Sequence, residues 1–132
     1  MSKTDDQAFE QIMENLSAAL DAWYSGNPFP YCDLFAEEIT YFDPMTPERI
    51  ETREALIAHG ARFEGQFVFP RHEIIEPVCQ AVDEQRVLTY FLRQYSADGP
   101  YGPTWKSSEL YKNIDGQWRI VHAHWSAIAP EE

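Results

Sequence analysis

Asp43 is the strongest candidate for a residue that does chemistry, because it ends a short apolar run and directly precedes a proline. The run ITYF at residues 39–42 is β-branched and aromatic, which is typical of a strand, and Pro44 removes a backbone donor and ends it. Asp43 either starts a solvated turn, which is the common use of Asp-Pro, or points into a cavity as a general base.

The histidines form a second group of candidates. His122 and His124 make an HxH pair, which puts both rings on one face of a strand, as a metal site requires. Such a site needs a third ligand, for which His72 or Glu109 is available, whereas a structural role needs none. His59 falls on a predicted helix, where it is either solvated or within reach of a cavity mouth.

The first half of the chain predicts three helices that would position these residues. Over residues 6–25, apolar side chains recur at intervals of three and four and form one stripe, which stops at the Gly-Asn-Pro of residues 26–28. A short helix is predicted at about 29–37. A third follows Thr52, a plausible N-cap, and ends near one of the glycines at 60 and 65.

The second half predicts strands joined by turns. The Asp115-Gly116 pair is the strongest hairpin signal in the sequence. Helices followed by a run of antiparallel strands indicate an α+β fold, in which a curved sheet folds over helices. The predicted long strands lie at about 69–82, 85–97, 104–114 and 117–127.

Composition limits the class of protein. A chain of 132 residues with 44% hydrophobic and 14% aromatic residues suits one domain, taken as 1–132 with an ordered core at about 8–128. The many rings indicate a large core or a ring-walled pocket. A net charge of −12 makes nucleic acid and anionic membranes poor partners.

The remaining signals favour a plain intracellular protein. There is no apolar run near the roughly 20 residues of a membrane span, and the N-terminus has no signal-peptide core, so a cytoplasmic location is expected. Cys32 and Cys79 match no metal spacing and are expected to be free thiols. The glycines of DGPYG match no phosphate loop, so no nucleotide is expected. We expect neither a metal nor any other cofactor.

Two segments carry a resemblance to a known superfamily. "LFAEEITYFDP", residues 34–44, and "DGQWRIVHAHWS", residues 115–126, resemble the nuclear transport factor 2-like superfamily of ketosteroid isomerase, the SnoaL-like polyketide cyclases and the calcium/calmodulin-dependent kinase II association domain. The resemblance covers about residues 8–128. It implies a cone-like fold, with three N-terminal helices packed on a strongly curved antiparallel sheet, and a homodimer formed through that sheet.

The resemblance also assigns catalytic positions. Asp43 corresponds to the general base of ketosteroid isomerase. Ungapped counting places the position of its oxyanion-binding Tyr at Ala19 and that of its protonated Asp at Ser108. Since losing one such donor typically raises the barrier by about 3 to 4 kcal/mol, steroid isomerisation in its known form is not expected.

The family register further implies which side chains face the pocket. Strand alternation sorts inward from outward residues, and Ala19 and Trp23 would roof the pocket from one face of the first helix. The histidines of the HxH pair would face away, onto the convex surface. The implied pocket consists of Ala19, Trp23, Tyr41, Phe91, Arg93, Tyr95, Lys106, Ser108, Leu110, Val121, Ala123 and Trp125, together with Asp43.

Arg93 matters most in this set, because a cation in a ring-walled cavity is costly unless it is paired. Its partner would be Asp43 or an acidic group of a ligand; alternatively, Arg93 faces solvent or forms a structural ion pair. The first functional hypothesis is therefore a SnoaL-like small-molecule-binding protein, whose ligand is apolar with a carboxylate or enolate that faces Arg93.

Two alternatives stay open. One is an isomerase, cyclase or dehydratase in which Asp43 is the general base, with Ser108 and either Arg93 or Lys106 stabilising the oxyanion. The other is an oligomerisation module, since this fold hosts enzymes, binding modules and assembly domains.

Overall fold

The computed structural model describes residues 6–128, where three helices and the first two strands precede five further strands, and all seven strands form one curved sheet. The helices are α1 (Asp6–Trp23), α2 (Phe29–Cys32) and α3 (Arg53–Ala61). The predicted α+β class is confirmed. The strands are β1 (Phe35–Phe42), β2 (Ile50–Thr52), β3 (Arg71–Val82), β4 (Gln85–Ser96), β5 (Gly99–Pro100), β6 (Thr104–Ile114) and β7 (Gln117–Ile128).

The helix boundaries follow local signals with one exception. The stripe of α1 ends at Trp23, before Gly26 with a φ of 101°, a left-handed conformation that glycine tolerates. The predicted helix at 29–37 is wrong beyond its first turn. Phe35 pairs with Ile120 of β7 and Glu38 with Thr52 of β2, so sheet pairing outweighs local propensity there.

The N-cap of α3 is confirmed. Thr52 has extended backbone angles, and its Oγ1 accepts a hydrogen bond from the backbone N–H of Ala55 at 3.1 Å. This contact satisfies one of the donors that a helix leaves unpaired at its first turn. It fixes the start of α3, the helix that carries His59.

The sheet order is β2-β1-β7-β6-β4-β3, with β5 on the edge of β4. All pairs are antiparallel except β1 with β7, which run parallel. The predicted hairpin between β6 and β7 is confirmed. Asp115 and Gly116 both have left-handed φ angles, of 54° and 84°, as a type I′ turn requires.

The core lies between the helices and the inner face of the sheet. Ile12 and Leu16 of α1 are fully buried, as are Phe35 of β1, Leu88 of β4 and Ile120 of β7. This packing holds α1 and α2 across the sheet and leaves a cavity beside them. Within residues 6–128, no helix is long and apolar enough to cross a membrane.

Candidate functional site

A cavity of about 400 Å³ opens between the end of α1, the segment after α3 and the inner face of the sheet. Most of its walls are aromatic or aliphatic, as in pockets for small organic molecules. Among the described residues that line it, Asp43 alone carries a formal charge. The rings used in the argument below are those of Trp23, Tyr31, Phe63, Phe67, Trp105 and Trp125.

These rings touch one another in sequence around the cavity. Phe63 lies 5.6 Å from Phe67 between ring centroids, Phe67 stacks at 6.5 Å on Trp23, and Trp23 meets Tyr31 edge-on at 6.2 Å. Tyr31 in turn meets Trp125 at 6.0 Å. Because edge-on and stacked pairs support each other, the wall is a connected aromatic surface rather than a set of separate side chains.

Asp43 lies where this wall meets the end of β1, and only 9% of its side chain is exposed. Its Oδ2 accepts a hydrogen bond from the Tyr41 hydroxyl at 2.7 Å and lies 2.9 Å from Nε2 of His59. Its Oδ1 accepts from the backbone N–H of Met45 at 2.8 Å. The turn and the cavity position, which the sequence offered as alternatives, therefore occur together, because Asp43 makes an Asx-type turn and also lines the cavity.

His59 is the main site residue that the sequence did not assign. Only 8% of it is exposed, so a solvated helix position is wrong. Since a carboxylate only accepts hydrogen bonds, Nε2 carries the proton in this contact when Asp43 is ionised. The His59 ring also meets Phe63 edge-on at 5.2 Å, which fixes the imidazole behind the carboxylate.

Glu109 is buried beneath the cavity floor, with no exposed surface. Its Oε2 accepts from the hydroxyls of Tyr31 at 2.6 Å and Tyr90 at 2.8 Å, and its Oε1 accepts from Tyr111 at 2.9 Å. Burial raises the pKa of Glu109, while these hydroxyls and that of Ser107 oppose the shift. Burial, with Glu109 next in importance, raises the pKa of all three tyrosines.

Four of the hydroxyl and indole donors that line the cavity are used within the protein. Trp125 Nε1 donates to the Tyr31 oxygen at 3.1 Å, and the Tyr31 hydroxyl in turn donates a hydrogen bond to Glu109 Oε2. The Tyr24 hydroxyl donates to Gln94 Oε1 at 3.1 Å, as Tyr41 does to Asp43. These groups therefore orient the walls and are not free to bind an oxyanion.

Gln94 also holds the loop at one side of the cavity mouth. Its Nε2 donates to the backbone carbonyls of Tyr101 and Pro103, both of which line the cavity. The Tyr101 ring packs on Phe69 at 5.3 Å from the opposite side. One buried amide thus connects β4 to the 97–103 loop.

The structure brings part of the predicted pocket together. Asp43, Tyr41, Trp23 and Trp125 line the cavity. Ala19 and Ala123 are buried in the core, at 2% and 0% exposure, without lining it. The other predicted members lie elsewhere.

On β4 the predicted orientation is wrong. Phe91, Arg93 and Tyr95 are half-buried on the outer face, while Leu92 and Gln94 point inward and line the cavity. Arg93 donates from Nε and Nη2 to Thr104 Oγ1, at 3.2 and 3.0 Å. The predicted contact of Arg93 with Asp43 or with a ligand in this cavity is therefore wrong.

The same inversion applies to β6. Lys106 and Ser108 are exposed and Leu110 is half-buried on the outer face, whereas Trp105 and Glu109 point inward. The predicted orientation of β6 would have buried the charged Lys106 in the aromatic cavity. Burying that charge without a partner is less favourable in free energy than burying the ring of Trp105 there. Lys106 and Ser108 thus have no access to an oxyanion in this cavity.

A β-bulge explains the misplacement of Val121. The pairing of β6 with β7 runs from Leu110 opposite His122 to Tyr111 opposite Ile120, so Val121 is an extra residue on β7. The bulge reverses the alternation at this point. Ile120 takes the buried position, and Val121 is half-buried on the outer side.

The HxH pair contacts side chains of β1. His122 Nδ1 lies 2.7 Å from Thr40 Oγ1, and the ring of the exposed His124 packs beside Phe42 at 5.5 Å. Among residues 6–128, no three His, Cys, Asp or Glu side chains gather in a way that would hold a metal ion. Both cysteines are buried thiols that form no disulfide within residues 6–128, and burial raises the pKa of the Cys32 thiol to about 12.

Comparison with known proteins places this geometry in a family. Residues 12–130 match the SnoaL-like domain. A candidate ketosteroid isomerase from Parabacteroides distasonis is 29% identical, with a TM-score of 0.73, over 87% of this chain and 86% of its own. None of the curated proteins compared with the chain matches it.

Two further structures share the fold. An NTF2-like protein of unknown function from Pseudomonas putida KT2440 is 20% identical, with a TM-score of 0.79, over 97% of this chain and 92% of its own. The CaMKII hub of S. rosetta is 18% identical, with a TM-score of 0.68, over 90% and 95% of the two chains. Since the match to the SnoaL-like domain spans nearly all the described residues, the chain belongs to the SnoaL-like family.

Proposed function

We propose that this protein binds a small, largely apolar, ring-containing molecule in the cavity, with a polar group of that molecule facing Asp43. The observation that carries the proposal is the cavity itself, about 400 Å³ with connected aromatic walls and one carboxylate. This volume is at the lower end of ligand pockets, which span about 300 to 1,000 Å³. It suits a ligand of two or three fused rings.

The ligand's polar group differs from the one that the sequence led us to expect. Arg93 lies on the outer face, so it does not anchor a carboxylate or enolate in this cavity. An acidic ligand would instead place its charge near Asp43, where two like charges repel in a poorly solvated site. The cavity is therefore not expected to bind an acidic ligand.

A proton-transfer enzyme is the second candidate. It is favoured by the position of Asp43 on the cavity wall and by the 29% identity to a candidate ketosteroid isomerase. Against it, the hydroxyls of Tyr24, Tyr31 and Tyr41 are donated within the protein, so they do not stabilise an enolate. Binding without turnover therefore explains more of the site.

Binding is tested by titrating neutral bicyclic compounds such as 2-naphthol and 2-tetralone, followed by tryptophan fluorescence and thermal shift. A ligand of the folded state raises the melting temperature by an amount that grows with the ratio of its concentration to its dissociation constant. Phe67→Ala removes one wall ring and is expected to weaken binding about tenfold, equivalent to about 1.4 kcal/mol. Val68→Ala, at a 58% exposed neighbouring position, is the matched control. Absence of binding by every compound would refute the proposal.

The enzyme alternative has its own test. With 2-tetralone in D₂O, a general base at Asp43 accelerates deuterium incorporation next to the carbonyl, which NMR measures directly. Asp43→Asn would then abolish exchange while the ketone still binds. Equal exchange rates with and without protein favour a binding protein.

We further propose that the chain forms a homodimer through the outer face of the sheet. Phe91, Tyr95 and Leu110 lie half-buried on that face, and the hub of S. rosetta shares the fold. Light scattering of the purified protein tests this directly. A mass of two chains is expected, a larger particle would favour the assembly alternative, and a monomer would contradict the proposal.

A further inference from the structure

We propose that the ligand's polar group is a positively charged nitrogen, so that the cavity is a receptor for organic cations such as aryl-alkyl amines or quaternary ammonium compounds. This inference rests on the proposed function, since it names the chemical class of ligand that the same cavity takes. Three observations support it: the hydrogen bonds that Asp43 accepts, the aromatic wall of the cavity and the net charge of the chain.

Asp43 is arranged as an acceptor of hydrogen bonds. Tyr41 and Met45 donate to it, and Nε2 of His59 lies 2.9 Å from Oδ2. A ligand that fills the cavity covers the small part of this carboxylate that still meets water. Removing water from an anion is unfavourable unless a positive group replaces it. Because the described lining residues include no Lys, Arg or His, the cavity wall itself does not supply that positive group, and a cationic ligand does.

His59 is the one neighbour that offers an alternative source of positive charge. It sits behind Asp43 against Phe63 and does not line the cavity. When its imidazole is neutral, the Asp43–His59 pair carries one negative charge. His59→Gln keeps a hydrogen-bond donor and cannot carry a charge, so comparing amine affinity in this variant and in wild type separates a charge supplied by the ligand from one supplied by His59.

The aromatic wall adds a second attraction for cations. Ring faces are negative, and Trp attracts cations most strongly, followed by Tyr and Phe. The described wall contains Trp23, Trp105 and Trp125 together with Tyr31, and its chain of ring contacts leads back through Phe67 towards Asp43. A carboxylate beside connected rings is the arrangement that recognises quaternary ammonium groups.

The charge of the whole chain acts in the same direction. Its net charge of −12 creates a negative potential that attracts cations and repels anions during encounter. A neutral ligand gains nothing from this field. The selectivity among ligands of equal shape should therefore follow the order cation, neutral molecule, anion.

The test compares three molecules of nearly equal shape by calorimetry at pH 8: 2-naphthylmethylamine, 2-naphthylmethanol and 2-naphthoate. In the wild-type protein, the amine is expected to bind at least about tenfold more tightly than the alcohol, and the naphthoate most weakly. Asp43→Asn is expected to weaken the amine about tenfold or more and to leave the alcohol within about twofold. Glu38→Gln, which removes an exposed carboxylate of β1, is the matched control and is expected to change neither.

The outcomes separate this inference from the proposed function. If the alcohol binds the wild-type protein as tightly as the amine, the cation inference is overturned and the apolar-ligand proposal stands. Amine affinity that survives Asp43→Asn also overturns the inference. If none of the three molecules binds, the proposed function and the inference fail together. The wild-type ratio of amine to alcohol decides the question even if the Asp43 variant does not fold.

Discussion

The side chains of His59 in α3 and Asp43 after β1 meet with Nε2 2.9 Å from Oδ2, and each is less than a tenth exposed. The contact joins the third helix to the end of a strand and holds the carboxylate against the cavity. It explains why an apolar strand ends on an acid: one Asp43 oxygen shapes the turn through Met45, while the other is fixed by His59 and Tyr41.

Removing the imidazole is expected to destabilise the fold. His59→Leu takes one partner from a buried carboxylate oxygen, and this should lower the free energy of unfolding by about 1 to 3 kcal/mol in urea titrations. His59→Gln, whose amide still donates, should recover part of that loss. His124→Leu, at an exposed position, is the control and should change little. Equal free energies of unfolding for His59→Leu and wild type would show that the contact does not stabilise the fold.

Glu109 should make stability depend on pH. Because its pKa is raised in the fold, the folded state holds the proton more tightly than the unfolded chain does. The stability that protonated Glu109 contributes is therefore fully present below the ordinary carboxyl pKa of 4.5. It is lost as the pH rises through the raised pKa of the folded state. Above that value the loss is complete.

Glu109→Gln removes this titration and keeps a side chain of similar shape. The unfolding free energy of wild type should fall relative to this variant as the pH rises from 4.5, with a slope of at most about 1.4 kcal/mol per pH unit. The slope is the prediction, since a constant offset between the proteins reflects the changed hydrogen bonds. The difference in unfolding free energy between wild type and Glu38→Gln, a change at an exposed site, should show no such slope. Parallel curves for Glu109→Gln and wild type would contradict the assignment.

Gln94 should control the 97–103 loop. Gln94→Leu leaves the carbonyls of Tyr101 and Pro103 and the hydroxyl of Tyr24 without a side-chain partner, which should cost about 1 to 3 kcal/mol of stability. Faster hydrogen exchange is expected at the backbone N–H of Tyr101, which is bonded to the carbonyl of residue 94. Gln80→Leu, on the exposed side of β3, is the control. Unchanged exchange at Tyr101 would mean that the amide does not hold the loop.

Much of the fold was predictable from local patterns. The Thr52 N-cap and the Asp115-Gly116 turn are decided by neighbouring residues, so the sequence identifies them without knowledge of the rest of the chain. The length of α2 was not predictable in this way. The residues after Cys32 form a strand because β2 and β7 pair with them, and those strands lie far along the chain.

The candidate site was harder to predict, because strand alternation does not give its own direction and a slip of one residue reverses every side chain. The family count placed Arg93 and Lys106 inward, although burying either cation among rings is unfavourable. Weighing that cost against the alternate set, which contains Leu92 and Trp105, would have favoured the observed orientation. The Val121 bulge and the His59 contact have no comparable local signal, since each depends on the pairing of distant segments.

The orientation of β4 leads to a direct prediction for Arg93. Because its guanidinium bonds Thr104 on the outer face, Arg93→Ala should leave the affinity for 2-naphthylmethylamine and 2-naphthylmethanol within about twofold of wild type by calorimetry. The loss of the Thr104 contacts should lower stability by about 0.5 to 1.5 kcal/mol. Phe67→Ala serves as the comparison that does weaken binding. A tenfold loss of affinity in Arg93→Ala, with Phe67→Ala unaffected, would place the ligand against the outer face and move the binding site away from Asp43.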